Sequence, residues 1–348
     1  MFIKTLSNSD NNPLNKALSF RISTPPQNML NFSMQTRQNL LLKLKTNRIA
    51  FLLIVMLLIT NVITFVILFA PKEPDIQKFP LIDPLRNEIS QEHFIVNFQP
   101  LRESLQKIAT ESDADVGIYF EFLNTGANIS INQDTRFWPA SLIKLPTALA
   151  VLKKIERGEW HYNNKLVLFE QDKDDRYGDL YKKPVGSQFT IEELLEELII
   201  HSDDTAHRIF MRNLDGDNFI EILEGLGMET LYDQDYNITA KEYSRIFRAL
   251  FTSSFLKREY SQKLLDMLAR TPFTEFLAKP IPDQILFSHK IGEHDVEKTY
   301  LDAGIVYVPQ RPYIITVMVK IKPDEDQRKA EEIMRKISEQ CYNYVSTY

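Results

Sequence analysis

Apolar residues in this chain fall into three kinds of spacing. Ile49 to Ala70 is an uninterrupted stretch of 22 residues without a charge, relieved only by Thr60, Asn61 and Thr64. At about 1.5 Å rise per residue it spans the roughly 30 Å hydrocarbon core of a bilayer, so it predicts a transmembrane helix over 49–70. A secretory signal has a shorter apolar region nearer the start, and a buried core helix keeps a polar face. Short β-rich runs make the second kind. Asp115–Leu123 and Ala127–Asn132 flank the turn Asn124-Thr125-Gly126 and predict a hairpin. Ile285–Lys290, Tyr300–Val308 and Tyr313–Ile321 predict three later strands. Helical spacing is the third kind, over Leu101–Thr110, from Pro139 to about Arg157, and over Ile191–His201, Thr205–Asn213, Asn218–Leu226, Thr239–Phe251, Tyr260–Ala269 and Asp326–Val345. Thr190 and Glu193 form a capping box for the third of these helices. Strands at both ends with helices between predict an α+β domain over residues 93–348: an antiparallel sheet built from both ends, with flanking helices and a mostly helical middle.

Charge divides the chain in the same place. Lys4, Lys16, Arg21, Arg37, Lys43, Lys45 and Arg48 precede the apolar run against one acid, Asp10, giving +6 there and −12 over the rest of a chain whose total is −6. The cationic flank stays in the cytoplasm, so the expectation is a single-pass cell-membrane protein anchored in the lipid bilayer through 49–70, with its large domain outside the cytoplasm. The acidic balance of that domain argues against nucleic acid as a partner. Residues 1–48, rich in Asn, Ser, Gln and Thr, predict a disordered cytoplasmic tail. Residues 71–92, with Pro71, Pro74, Pro80 and Pro84, predict a linker. Cys341 is the single cysteine, which excludes an internal disulfide and a cysteine-based metal site.

Serine followed three residues later by lysine places the two on one helical face, where a lysine of lowered pKa can take the serine's proton. Three such pairs occur: Ser104/Lys107, Ser141/Lys144 and Ser254/Lys257. The first and third fall on solvated helix surfaces. The second opens a helix after Phe137-Trp138-Pro139-Ala140 and continues into apolar residues, so Lys144 is expected to be partly buried. Ser202-Asp203-Asp204 follows between two helices, and Lys290-Ile291-Gly292 at the end of a strand.

That ordered set is the signature of class A β-lactamases and penicillin-binding proteins, and the domain from about residue 95 onward resembles that family. The resemblance implies an acyl-enzyme formed at Ser141, with Lys144 as base. Ser202, with Lys290 nearby, passes a proton to the leaving nitrogen and helps hold a substrate carboxylate. The backbone N–H groups of Ser141 and Glu293 form the oxyanion hole, beside Gly292 and Asp204. It implies no metal and no cofactor, and a small acyl substrate: a β-lactam or a peptidoglycan peptide amide. The chain departs from the family at three points. Asp204 stands where Asn is usual, Ile291 replaces a Thr or Ser hydroxyl, and no Glu-x-x-Leu-Asn segment for deacylation appears; Met228–Thr239 offers only Glu229 and Asp233. A β-lactamase and a D,D-peptidase-like enzyme therefore both remain open, as do an inactive binding or scaffold protein on the same fold and a small-ester hydrolase. Other polar clusters have plain readings: His201 and His207 lack a metal-ligand spacing, His289 and His294 read as strand-end surface, Glu192, Glu193, Glu196 and Glu197 as a solvated helix face, and Asp172–Asp175 as an acidic loop.

Overall fold

A computed structural model describes residues 27–69, 79–83, 96–228, 231 and 236–347. The chain divides into two units, Met1–Glu73 and Pro74–Tyr348. Of the first, the described part is one helix, α1 (Gln27–Phe69), whose stretch Lys45–Phe65 is long and apolar enough to cross a membrane. The helix starts well before the predicted span, so residues 27–48 are helical rather than a disordered tail. Their Leu, Lys, Gln and Arg content is helix-favouring, and composition rich in amides concealed it. Residues 1–26 lie outside the described part.

The second unit is the α+β domain. Helix α2 (Gln99–Glu111) leads into the hairpin β1 (Asp115–Phe122) and β2 (Ala127–Ile131), whose turn carries Gly126 at φ +74°. The helical middle comprises α3 (Lys144–Glu156), α4 (Ile191–Ile199), α5 (Asp204–Asn213), α6 (Gly216–Gly225), α7 (Ala240–Thr252) and α8 (Arg258–Ala269), with a minor pair β3 (Lys165–Val167) and β4 (Gln188–Thr190). Then β5 (Phe287–His294), β6 (Thr299–Val306) and β7 (Tyr313–Lys320) precede the last helix, α9 (Arg328–Thr347). The five-stranded sheet has the order β2-β1-β7-β6-β5, every pair antiparallel. Its two ends of chain meet at the β1–β7 ladder.

Alternation along the strands separates two cores. On β7, Ile314 and Met318 face the helical middle, whereas Tyr313, Ile315, Val317 and Val319 face α2 and α9. The predicted apolar face of α9, Ile333, Ile337, Cys341 and Val345, is buried there, and burial pushes the Cys341 thiol up. Thr190 caps α4, accepting from Glu193 N at 3.2 Å while Glu193 Oε2 accepts from Thr190 N at 2.7 Å.

The predicted linker is not free along its length. Phe79–Asp83 docks on the domain with Leu81 and Ile82 buried. Leu81 N donates to Gln262 Oε1 at 2.9 Å, Asp83 N to Phe251 O at 3.0 Å, and Tyr307 Oη to Leu81 O at 3.0 Å. Residues 70–78 and 84–95 lie outside the described part.

Candidate active site

Ser141 sits in a 3-10 turn, Ala140–Ile143, and α3 begins only at Lys144. The predicted single helix from Pro139 is thus two segments, and the tighter turn still brings Lys144 Nζ within 3.0 Å of Ser141 Oγ. Ala140, immediately before Ser141, is held at φ +47°, and Ser202 at φ +55°. Left-handed backbone at a non-glycine residue costs about 1–2 kcal/mol, tolerated here because both segments are fixed by what they touch. The turn is pressed against β5. A Cβ on Gly292 would meet Pro139 O at 3.1 Å and Leu142 Cγ at 3.2 Å, so the absence of a side chain lets the strand run past the serine.

Four of the predicted catalytic groups converge. Lys144 Nζ donates to Ser202 Oγ at 3.2 Å and to Ser202 O, and Lys290 Nζ donates to the same Oγ at 2.8 Å. Both lysines are 1% exposed. Burial pushes the Lys144 ammonium below its ordinary range, opposed chiefly by Asp204, whose Oδ1 lies 2.7 Å away. Lys290 is driven well below its ordinary value by burial first and by the Lys144 charge second. Lys144 therefore contacts a carboxylate and the alcohol at once. The other two Ser/Lys pairs lie on the surface: Lys107 is 4.0 Å from Glu111, and Ser254 bonds Thr252 Oγ1 at 3.1 Å.

The middle residue of the second motif anchors the scaffold. Asp203 is buried and caps α5, its Oδ1 accepting from Ala206 N at 2.7 Å and its Oδ2 from Leu180 N at 3.0 Å. The acidic loop likewise holds structure. Asp172 pairs with Arg212 at 2.8 Å, and Asp174 pairs with Arg176 and Arg208, each at 2.7 Å. The Asp174 backbone exchanges hydrogen bonds with Thr205 Oγ1. This lacing presents Tyr177 over the site, its ring centroid 5.9 Å from Lys144 Nζ and its Oη donating to Glu293 Oε2 at 2.6 Å. Burial raises the Glu293 carboxyl, which also accepts from Gln327 Nε2 at 3.4 Å.

Several readings of single residues are corrected. His289 is buried rather than surface, stacked on Phe287 at 4.2 Å with Nδ1 2.9 Å from Asp302 Oδ1. Ile291 is packed in the α2/α9 core, where alternation sends the neighbour of the site-facing Lys290. His207 is kept neutral, pushed down to about 3 by burial and by the nearby Lys144, Arg176 and Arg208 charges. Glu192 and Glu196 pair with Lys263 and Arg270, but Glu197 is half-buried and lines a groove with Tyr177, His201 and Phe273. Glu229 and Asp233 lie outside the described residues.

Fold and site define the class, a serine hydrolase in which two buried lysines meet at Ser202 Oγ and one of them also reaches Ser141 Oγ. A family model, the Beta-lactamase enzyme family, matches residues 100–345, and the chain belongs to that family. Among similar curated proteins, Beta-lactamase VEB-1 of Pseudomonas aeruginosa is 21% identical over 265 residues, covering 69% of this chain and 88% of that one. Extended-spectrum beta-lactamase PER-1 from the same organism is 23% identical, covering 70% and 87%. Among solved structures, PBP-A superposes with a TM-score of 0.66 at 24% identity, covering 72% of this chain and 97% of that one. TLA-3 extended-spectrum beta-lactamase gives 0.66 at 20% identity, covering 72% and 100%.

Proposed function

We propose that this chain is a membrane-anchored acyl-hydrolase that forms an acyl-enzyme at Ser141 with a β-lactam or an acyl-D-amino-acid amide. The observation that carries the reading is the convergence of Lys144 Nζ on Ser141 Oγ at 3.0 Å, with Ser202 Oγ shared between Lys144 and Lys290. Neutral Lys144 takes the Ser141 proton as Oγ bonds the carbonyl carbon. The N–H groups of Ser141 and Glu293 receive the oxyanion, a contribution typically worth about 3–4 kcal/mol per donor. Ser202, recharged by Lys290, protonates the leaving nitrogen. Water then hydrolyses the ester. Without a Glu-x-x-Leu-Asn segment that last step is slow, which favours penicillin-binding behaviour over rapid β-lactam turnover. A mutant of PBP-A is recorded as an acyl-enzyme complex with penicillin G, which supports acylation by a penicillin here. Helix α1 serves as the anchor, and its basic N-terminal flank keeps the acidic domain on the outer side.

The Lys144–Asp204 ion pair favours a second reading, a binding protein whose base is off at neutral pH. One experiment separates the two. The full chain in detergent is incubated with fluorescent penicillin beside Ser141→Ala, and nitrocefin turnover is followed in parallel. A long-lived adduct on Ser141 with little nitrocefin hydrolysis is the expected result. Equal, absent labelling of both proteins removes the enzyme mechanism and leaves the binding role.

A further inference from the structure

Asp204 is a carboxylate where a neutral amide would leave the lysine alone, and its two oxygens have different partners. Oδ1 lies 2.7 Å from Lys144 Nζ, and Oδ2 lies 3.8 Å from Arg176 Nε. The second cation is itself held from behind. Arg176 donates to Asp174 through Nε at 2.9 Å and Nη2 at 2.7 Å, and Arg208 pairs with the same carboxylate at 2.7 Å. Signs of charge therefore alternate through Lys144, Asp204, Arg176, Asp174 and Arg208.

The two cations on Asp204 differ in kind. The Lys144 side chain is 1% exposed and can lose its proton, whereas that of Arg176 is 67% exposed and stays charged at any working pH. A carboxylate paired with the lysine holds the amine in its charged form, which cannot take the Ser141 proton. A permanent positive charge at the other oxygen draws the carboxylate outward and opposes that effect. The backbone keeps it there. Asp204 N donates to Tyr177 O at 3.0 Å and Asp174 N to Thr205 Oγ1 at 3.0 Å, which ties residues 174–177 to the start of α5. The other groups around Lys144 leave this balance to Asp204 and Arg176. Asp203 supports the charged lysine more weakly than Asp204 does, and burial drives Lys290 toward its neutral form. His207 is kept neutral, and burial pushes the Tyr177 phenol up, so neither carries charge at neutral pH.

We propose that Arg176 is a positioning residue for the acylation step: by holding the outer oxygen of Asp204 it keeps that carboxylate from engaging Lys144 fully, and so leaves neutral lysine available to Ser141 at neutral pH. The assignment rests on the acyl-enzyme reading, in which Lys144 Nζ takes the Ser141 proton.

The test is the rate of acylation by a fluorescent penicillin between pH 5 and 9, on the full chain in detergent. Wild type is compared with Arg176→Gln, Arg176→Lys and Ser141→Ala, and with Asp204→Asn alone and combined with Arg176→Gln. The midpoint of the acid limb is read rather than the plateau, because a loosened loop lowers the plateau without moving the midpoint. Arg176→Gln is expected to move the midpoint upward by about half a pH unit, the scale of a solvent-exposed charge pair. Arg176→Lys keeps the charge and returns the midpoint most of the way to wild type. In the Asp204→Asn background the Arg176→Gln shift is much smaller, since no carboxylate is left to release. A midpoint that stays or falls in Arg176→Gln, no recovery in Arg176→Lys, or an equal shift in both backgrounds overturns the assignment. If Ser141→Ala labels like wild type, the acyl-enzyme reading itself falls; labelling that needs Ser141 but ignores Arg176 removes only the role of Arg176.

Discussion

Lys144 can accept the Ser141 proton only in molecules whose amine is neutral, and its neighbours pull that fraction in opposite directions. Burial lowers its pKa, and the Asp204 carboxylate at 2.7 Å raises it. Acylation should therefore fall on the acid side as pH drops through the lowered lysine value. Asp204→Asn removes the opposing charge, so the limb moves to lower pH, by about one to three units for a carboxylate this close, and the acylation rate at pH 6 rises. Stopped-flow acylation by a penicillin between pH 5 and 9 checks it, and a limb that stays put or moves upward sinks the assignment of Lys144 as base. The same depression has a stability consequence. A lysine whose folded value is lowered binds fewer protons in the native state, so stability rises with pH from that lowered value up to the unfolded value of about 10.4. These motif residues were legible because a fixed spacing and order report chemistry even without coordinates. Tyr177 was not, because a single side chain from a separate segment leaves no period.

At the scale of elements, a backbone contact fixes the site as firmly as any helix. Gly178 has φ +84°, and a Cβ there would lie 1.9 Å from Asp203 Oδ2, the atom that receives Leu180 N. Gly186 has φ +88° with no atom within 4 Å of its Cβ position. Both alanine variants carry the left-handed penalty of about 1–2 kcal/mol, but only Gly178→Ala also displaces Asp203 from the cap of α5, worth about 1 kcal/mol more. The expected outcome is a larger fall in denaturant midpoint for Gly178→Ala, together with lost penicillin labelling; equal midpoints and equal labelling would show that the Asp203 contact does not hold the loop. Elements with a long period or a cap, such as α4 with Thr190 and Glu193, were readable from sequence. The 3-10 turn under Ser141 and the three-residue strands β3 and β4 are too short to carry a period. For Asp172 and Asp174, charge alone could not reveal that arginines from another segment bury them.

Prolines misled the reading of the whole molecule, because Pro71, Pro74, Pro80 and Pro84 drew attention away from Phe79, Leu81 and Ile82 between them. Leu81 and Ile82 are each 5% exposed, a burial that stabilises by about 1.5–3 kcal/mol per side chain before ordering costs. The segment also joins distant parts of the domain: Gln262 on α8, Phe251 on α7 and Tyr307 after β6 each exchange a hydrogen bond with it. It is therefore part of the fold, and cutting the chain behind it removes core rather than tether. Leu81→Ala and Ile82→Ala should each cost about 2 kcal/mol, the low end for large-to-small changes because a peripheral site can collapse. Tyr307→Phe should cost about 1 kcal/mol for its lost hydrogen bond. Denaturant unfolding of a fragment starting at Pro74, compared with one starting at Val96, measures the whole contribution. The longer fragment should unfold at the higher midpoint, and the Leu81 and Ile82 substitutions in it should close most of that gap. Identical midpoints for the two fragments would mean that the segment rests on the domain without stabilising it, and the predicted linker would then be a linker after all.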